Sequence, residues 1–262
     1  MSGSLCRAFV RLLMAVAALS LSTARAAEPP LIAAAADLHY ALSAAADLFT
    51  RGGRQVKLTF GSSGNFARQI IEGAPFELFL SADEGYVARL KERGLTEGVG
   101  TLYGLGRVVL FAPRGSPVRI DPDLRDLKAA LADGRLQRFA IANPEHAPYG
   151  RAAREILLRA GVWDALKDRL VLGENASQAA QFAATGAAQA AILPYSLALA
   201  PAMADRGSYV LLKEEQHAPL RQRMVLIKGA GETARRFYTF LQQEEARAIF
   251  LRYGFAPPAP GK

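Results

Sequence analysis

Cysteine is all but missing from this 262-residue chain, whose single copy is Cys6. That excludes a disulfide framework and any cysteine-based zinc or iron–sulfur site. Histidine is nearly as scarce. His39, His146 and His217 stand far apart, and no two have metal-binding spacing. No low-complexity or polar linker divides the chain. No basic block is interleaved with aromatics, and Arg89-Leu90-Lys91-Glu92-Arg93 shows how the cations are mixed with acids, so a nucleic-acid partner is excluded. What remains is ordinary: 51% apolar and 21% charged residues exclude disorder, collagen and coiled coil.

The first stretch reads as a leader rather than as part of a fold. Residues 1–26 carry Arg7 and Arg11, then an apolar run from Leu12 to Leu21, then Ala24-Arg25-Ala26, the small-x-small pattern of a signal peptidase site. The run is well short of the ~20 residues that a spanning helix needs, so export is expected rather than anchoring. Cys6 precedes the run, the wrong order for lipid attachment. Without the leader's three arginines the formal charge of +8 falls to a mild positive balance, which favours anion encounter slightly.

The rest alternates between strands and helices. Leu31–Ala36, Gln55–Phe60, Glu77–Leu80, Val108–Phe111, Arg138–Ala142, Arg169–Leu172, Ala190–Leu193, Tyr209–Leu212 and Met224–Ile227 have strand character. Helical spacing runs from Leu38 to Phe49, and helices are expected over 65–72, 83–93, 124–131, 149–160, 177–184, 233–241 and 244–253. Such alternation implies parallel strands covered by helices on both faces. Two lobes, if present, must be joined by ordinary strands.

Four strands run into small or polar residues that open a helix: Ala36-Asp37, Ser62-Ser63-Gly64-Asn65, Ala147-Pro148-Tyr149-Gly150 and Asn175-Ala176-Ser177. Ligands of open α/β sheets bind at the carboxyl ends of strands. A helix start offers free N–H groups and the positive end of a dipole, which suit an anion. Four such starts without an obvious cation point to an oxyanion held by neutral donors.

These residues carry a family resemblance. From about Leu31 to Phe255 the chain resembles the molybdate-binding periplasmic component of an ABC transporter. The matching stretches are 33–38, Phe60-Gly61-Ser62-Ser63-Gly64-Asn65-Phe66-Ala67-Arg68-Gln69-Ile70, 73–83, Asn143-Pro144-Glu145-His146-Ala147-Pro148-Tyr149-Gly150, and Arg252-Tyr253-Gly254-Phe255. The resemblance implies the type II periplasmic-binding-protein fold: two α/β lobes, two crossing strands, ligand in the cleft. The expected lobes are residues 27–108 with 220–262, and 109–219. It also implies a periplasmic, monomeric carrier of molybdate or tungstate, without cofactor or catalysis, serving a permease and its ATPase.

Carried over residue by residue, the oxyanion contacts fall on Asp37 with the Ala36 amide beside it, on Ser63 through hydroxyl and N–H, and on the amides of Tyr149 and Ala176. Tyr195, after the last cleft strand, is the nearest match to a tyrosine that some members add. Any metal arrives inside the oxyanion, through oxygen contacts at Asp37, Ser63, Tyr149 and Ala176. Many members have Ser, Thr or Asn where this chain has Asp37. A carboxylate 4 Å from a dianion costs about 4 kcal/mol per unit of ligand charge at an effective dielectric of 20. Asp37 is therefore expected to cap its own helix and offer only its N–H. The alternative is that it accepts a proton from a protonated anion, which would favour phosphate or arsenate. Sulfate is not separated from molybdate by sequence. His146, Arg68 and Arg151 read as scaffold or solvated residues. A serine hydrolase built on Ser63 and His146 lacks the Gly-x-Ser-x-Gly elbow. An iron carrier would need more tyrosines than Tyr149 and Tyr195.

Overall fold

The computed structural model describes residues 28–258. The leader, its cleavage site and Cys6 lie outside the described residues. The chain forms two α/β lobes, each built on a five-stranded mixed sheet flanked by helices.

The first sheet contains β1 (Leu31–Ala35), β2 (Lys57–Gly61), β3 (Phe76–Ser81), β4 (Thr101–Gly106) and β10 (Leu220–Leu226), in the order β2-β1-β3-β10-β4. The second contains β5 (Val108–Pro113), β6 (Phe139–Ala142), β7 (Leu170–Gly173), β8 (Ala190–Pro194) and β9 (Gly207–Leu211), in the order β7-β6-β8-β5-β9. β1 pairs in parallel with β2, from Leu31 opposite Lys57 to Ala35 opposite Gly61. Central parallel strands are covered on both faces, which explains why Ile32, Ala33 and Ala34 are all fully buried.

Neither sheet is wholly parallel, contrary to expectation. β10 runs antiparallel to both β3 and β4, and β5 runs antiparallel to both β8 and β9. These are the strands that cross between lobes. The chain leaves the first sheet at Gly106, enters the second at Val108, and returns between Leu211 and Leu220. Two crossings in opposite directions put antiparallel neighbours into each sheet.

Three helices matter most for the site: α2 (Ser63–Ile71) after β2, α5 (Pro148–Arg159) after β6, and α7 (Ala176–Ala184) after β7. Helix α1 (His39–Thr50) follows a short 3-10 turn, Ala36–Leu38, and lays Ala41, Leu42, Ala45 and Phe49 on the first sheet. There they meet Phe237 and Phe250 of the last two helices, α10 (Glu232–Phe240) and α11 (Glu244–Arg252). Phe66, Phe79 and Leu90 fill the opposite face. The second lobe's core, around Phe111, Phe139 and Leu157, continues into Ala35, Ala36, Ala82 and Leu220 of the first. The lobes are therefore in apolar contact around the cleft.

Candidate functional site in the cleft

The carboxyl ends of five strands converge on one very small cavity of about 10 Å³ between the sheets. Its walls are Ala36 and Asp37 after β1, Ser62 and Ser63 after β2, Ala82 after β3, Ala147 to Tyr149 after β6, and Ala176 after β7. Ala36, Asp37, Ser63, Tyr149 and Ala176 are thus brought together. No lysine, arginine or histidine lines the cavity.

Its donors follow from helix geometry. Ser63 and Ala176 are the first residues of α2 and α7, and Tyr149 is the second of α5. N–H groups in a first turn have no intrahelical acceptor, and the dipoles of three full helices favour negative charge at these ends. Capping is left to neighbours: Ser62 Oγ accepts from the Asn65 N–H at 3.3 Å, and Asn175 Oδ1 from the Gln178 N–H at 3.1 Å. Ser63 is fully buried, and its Oγ accepts the Ala82 N–H at 3.0 Å. Its own O–H donates to no acceptor among the described residues.

Asp37 departs from the expected capping role. The turn it sits in begins at Ala35 and has no side-chain cap. The carboxyl turns inward instead, 1% exposed, where Oδ2 accepts from Gln222 Nε2 at 2.7 Å. Gln222 Nε2 also donates to the Tyr149 hydroxyl at 3.0 Å, while Gln222 Oε1 accepts from the Tyr103 hydroxyl at 2.7 Å. Asp37 Oδ1 is buried without a hydrogen-bond partner. Burial pushes the Asp37 pKa up to about 6, with the bond from Gln222, the nearby Tyr149 hydroxyl and the residue's own backbone N–H pulling it part of the way back. Burial and the nearby carboxyl raise both tyrosines well above the usual phenol range. Gly106 makes room for this cluster: a Cβ there would press on the Tyr149 hydroxyl and lie 2.7 Å from Gln222 Nε2.

Tyr195 is not part of the cavity wall. Its ring packs between the Arg107 guanidinium, 5.0 Å from the ring centre, and Tyr209. Pro194 before it opens a short helical turn, which sends the side chain away from the cleft. Gln222, Tyr103 and Ala82 belong to the site without being among the residues expected from the sequence. Gln222 had a signal: in Leu220-Arg221-Gln222-Arg223-Met224 it stands on the buried side with Leu220 and Met224, an odd place for an amide unless it has partners.

The two lobes are tied across the cleft mouth. The Gly64 N–H and the Tyr86 hydroxyl donate to the His146 carbonyl at 3.0 and 3.3 Å, and His146 Nδ1 lies 2.9 Å from Ser62 Oγ. Arg151 pairs with Asp83 and donates to the Tyr86 hydroxyl at 2.8 Å. Ser177 Oγ donates to the Ala36 carbonyl and Ser196 Oγ to the Asp37 carbonyl, at 3.1 and 2.8 Å. Arg68 bonds Asn65 on the outside. The histidine partner is thus Ser62, which leaves Ser63 without the base a hydrolase needs.

The sequence profile of bacterial extracellular solute-binding proteins matches residues 30–256. The chain belongs to that family. This solute-binding protein is 37% identical over 212 residues to the molybdate-binding protein ModA of Rhodobacter capsulatus, covering 79% of this chain and 80% of the relative. It is 33% identical over 249 residues to ModA of Azotobacter vinelandii, covering 94% and 96%. The solved structure of the A. vinelandii periplasmic molybdate-binding protein superposes with a TM-score of 0.80 at 28% identity, over 88% of this chain and 100% of that one. A solute-binding protein binds and releases without catalysis, which is what a cavity of uncharged donors can do. Among the described residues no group of three or more His, Cys, Asp or Glu side chains could hold a metal ion. None of their helices is long and apolar enough to cross a membrane.

Proposed function

We propose that this protein captures molybdate, and tungstate with it, in the periplasm and delivers it to an ABC permease and its ATPase. In this reading it acts as a monomer, is exported through its leader, and closes two lobes, residues 27–108 with 220–262 and 109–219, on the anion. The observation that carries the reading is the convergence of helix-start amides at Ser63, Tyr149 and Ala176, with the Ser63 hydroxyl and the Ala36–Asp37 turn, on a cavity lined by no cation. Charge-assisted donors contribute roughly 1.5–3 kcal/mol each. Five of them, about 7.5–15 kcal/mol in all, less ordering and desolvation costs, support affinity at about the micromolar level, about −8 kcal/mol. The ModA relatives support molybdate as the anion.

The buried carboxyl favours a second reading, a carrier of phosphate or arsenate that hands a proton to Asp37. Calorimetric titration of the dialysed protein with molybdate, tungstate, sulfate and phosphate tests both. Molybdate and tungstate are expected to bind tightest and to raise the melting temperature by mass action. Tightest binding of phosphate would replace the first reading with the second, and tightest binding of sulfate would overturn both.

A further inference from the structure

The feature that a neutral-donor site leaves unexplained is the carboxyl in its wall. Asp37 lines the cavity beside Ser63 and Tyr149. Of its two oxygens, Oδ2 is committed as an acceptor to Gln222, whose amide is oriented by the Tyr103 hydroxyl on its other side. Oδ1 is buried and has no partner. A carboxylate oxygen in that position costs stability unless it is protonated or meets a donor. A fully deprotonated oxyanion such as molybdate has no donor to offer, and facing a second negative charge would make matters worse.

We propose that Asp37 is neutral when the anion is bound and donates from Oδ1 to an anion oxygen, so that each captured dianion brings one proton into the site. This rests on the oxyanion reading above and adds to it the state and role of the carboxyl.

The surroundings agree from every side. Gln222 on β10 and Ser63 on α2 are uncharged. Tyr103 on β4 and Tyr149 on α5 are phenols held neutral by burial. Ser196, just beyond β8, and Ser177 of α7 bond only backbone carbonyls of the turn, at Asp37 and Ala36. His39, two residues along, has its ring against Tyr40 and Phe60. Among the described residues no cation hydrogen-bonds to the carboxyl to hold it ionised. Burial already places its titration near pH 6, and an adjacent dianion moves it further up.

Isothermal titration with molybdate between pH 6 and 8.5, in buffers of different ionisation enthalpy, reads the proton directly. The wild-type protein is expected to take up about one proton per anion at pH 7.5, and its Kd to rise about tenfold per pH unit above the titration of the free carboxyl. Asp37→Asn offers a permanent donor. It is expected to show no proton uptake, a flat pH profile, and binding tighter than wild type at pH 8. Asp37→Leu is flat as well, but weaker than Asp37→Asn by about ten- to a hundredfold for want of a donor. No uptake and a flat profile in the wild type would overturn the proposal, and so would proton uptake that persists in Asp37→Asn. If neither molybdate, tungstate, sulfate nor phosphate binds at any pH, the oxyanion reading fails first and takes this proposal with it.

Discussion

Gly64→Ala places a single methyl at the contact between the two lobes. Gly64 is the second residue of α2, and a Cβ there would lie 2.6 Å from the carbonyl oxygen and 3.0 Å from the Cα of His146 in the other lobe. It would also lie 2.8 Å from the Tyr86 hydroxyl, the tip of a side chain that can turn aside. The His146 backbone cannot, so reaching ordinary contact needs the lobes to part by about 0.7 Å or more. The Gly64 to His146 bond, 3.0 Å long, then leaves hydrogen-bonding range. The amides of Tyr149 and Ala176 recede with their lobe. Losing the equivalent of one to two charge-assisted donors weakens anion binding by roughly 2–5 kcal/mol, about thirtyfold to several thousandfold. Within its own helix the substitution is favourable, by up to about 1 kcal/mol. The ligand-free variant should therefore melt at or slightly above the wild-type temperature. Calorimetry measures the affinity, and solution scattering with saturating molybdate should give a larger radius of gyration than the liganded wild type. Wild-type affinity would refute the closure geometry. A large drop in ligand-free melting temperature would mean that the methyl clashes inside a lobe instead.

Ser63→Ala removes a donor to the anion and also orphans the Ala82 N–H that Ser63 Oγ accepts. Affinity should fall by about ten- to over a hundredfold, and denaturant titration of the ligand-free protein should show a loss of about 1–3 kcal/mol. Lower stability with unchanged affinity would make Ser63 purely structural. The Asp37 pKa, about 6 in the fold against 3.8 ordinarily, also links ligand-free stability to pH. The folded state holds the proton more tightly, so the contribution is intact below pH 3.8 and is lost as pH rises through 6, about 3 kcal/mol in all. Glu84 and Glu97, held low by hydrogen bonds from arginines despite some burial, act in the opposite sense. The measurement is therefore the stability difference between wild type and Asp37→Asn at pH 4 and pH 7.5, which should shift toward the variant. Parallel curves would show that the carboxyl is solvated.

Much of this was legible beforehand, because apolar strands and capped helix starts leave local marks. The runs at 31–36 and 190–193 read as strands, and turn chemistry marks the helix-opening stretches 62–65, 147–150 and 175–177, whereas the contacts at Ser63, Tyr149 and Ala176 within them rest on the family resemblance. β4 could not be, since glycines at 104 and 106 break the apolar pattern of Thr101–Gly106. The first half of β10 was hidden by Arg221 and Arg223, which reach outward to Glu84. Direction within the sheets depends on which strands cross between lobes, and no local pattern reports that. The largest miss, the inward turn of Asp37, depends on Gln222, 185 positions away. An Asp before a helix reads as a cap unless a distant partner claims it.

In the proposed binding mode the anion meets peptide dipoles, the Ser63 hydroxyl and the protonated Asp37 carboxyl, and no cationic side chain lines the cavity wall. Charged side chains carry a cloud of mobile counterions, and any anion arriving among them competes with chloride for the place. Peptide dipoles locked at the ends of helices gather no such cloud, and charges taken into a closed cleft are screened far less than those on a surface. Capture should then be nearly indifferent to ionic strength. A carrier built this way can scavenge a trace anion from a medium whose salt content swings widely, without retuning its affinity each time.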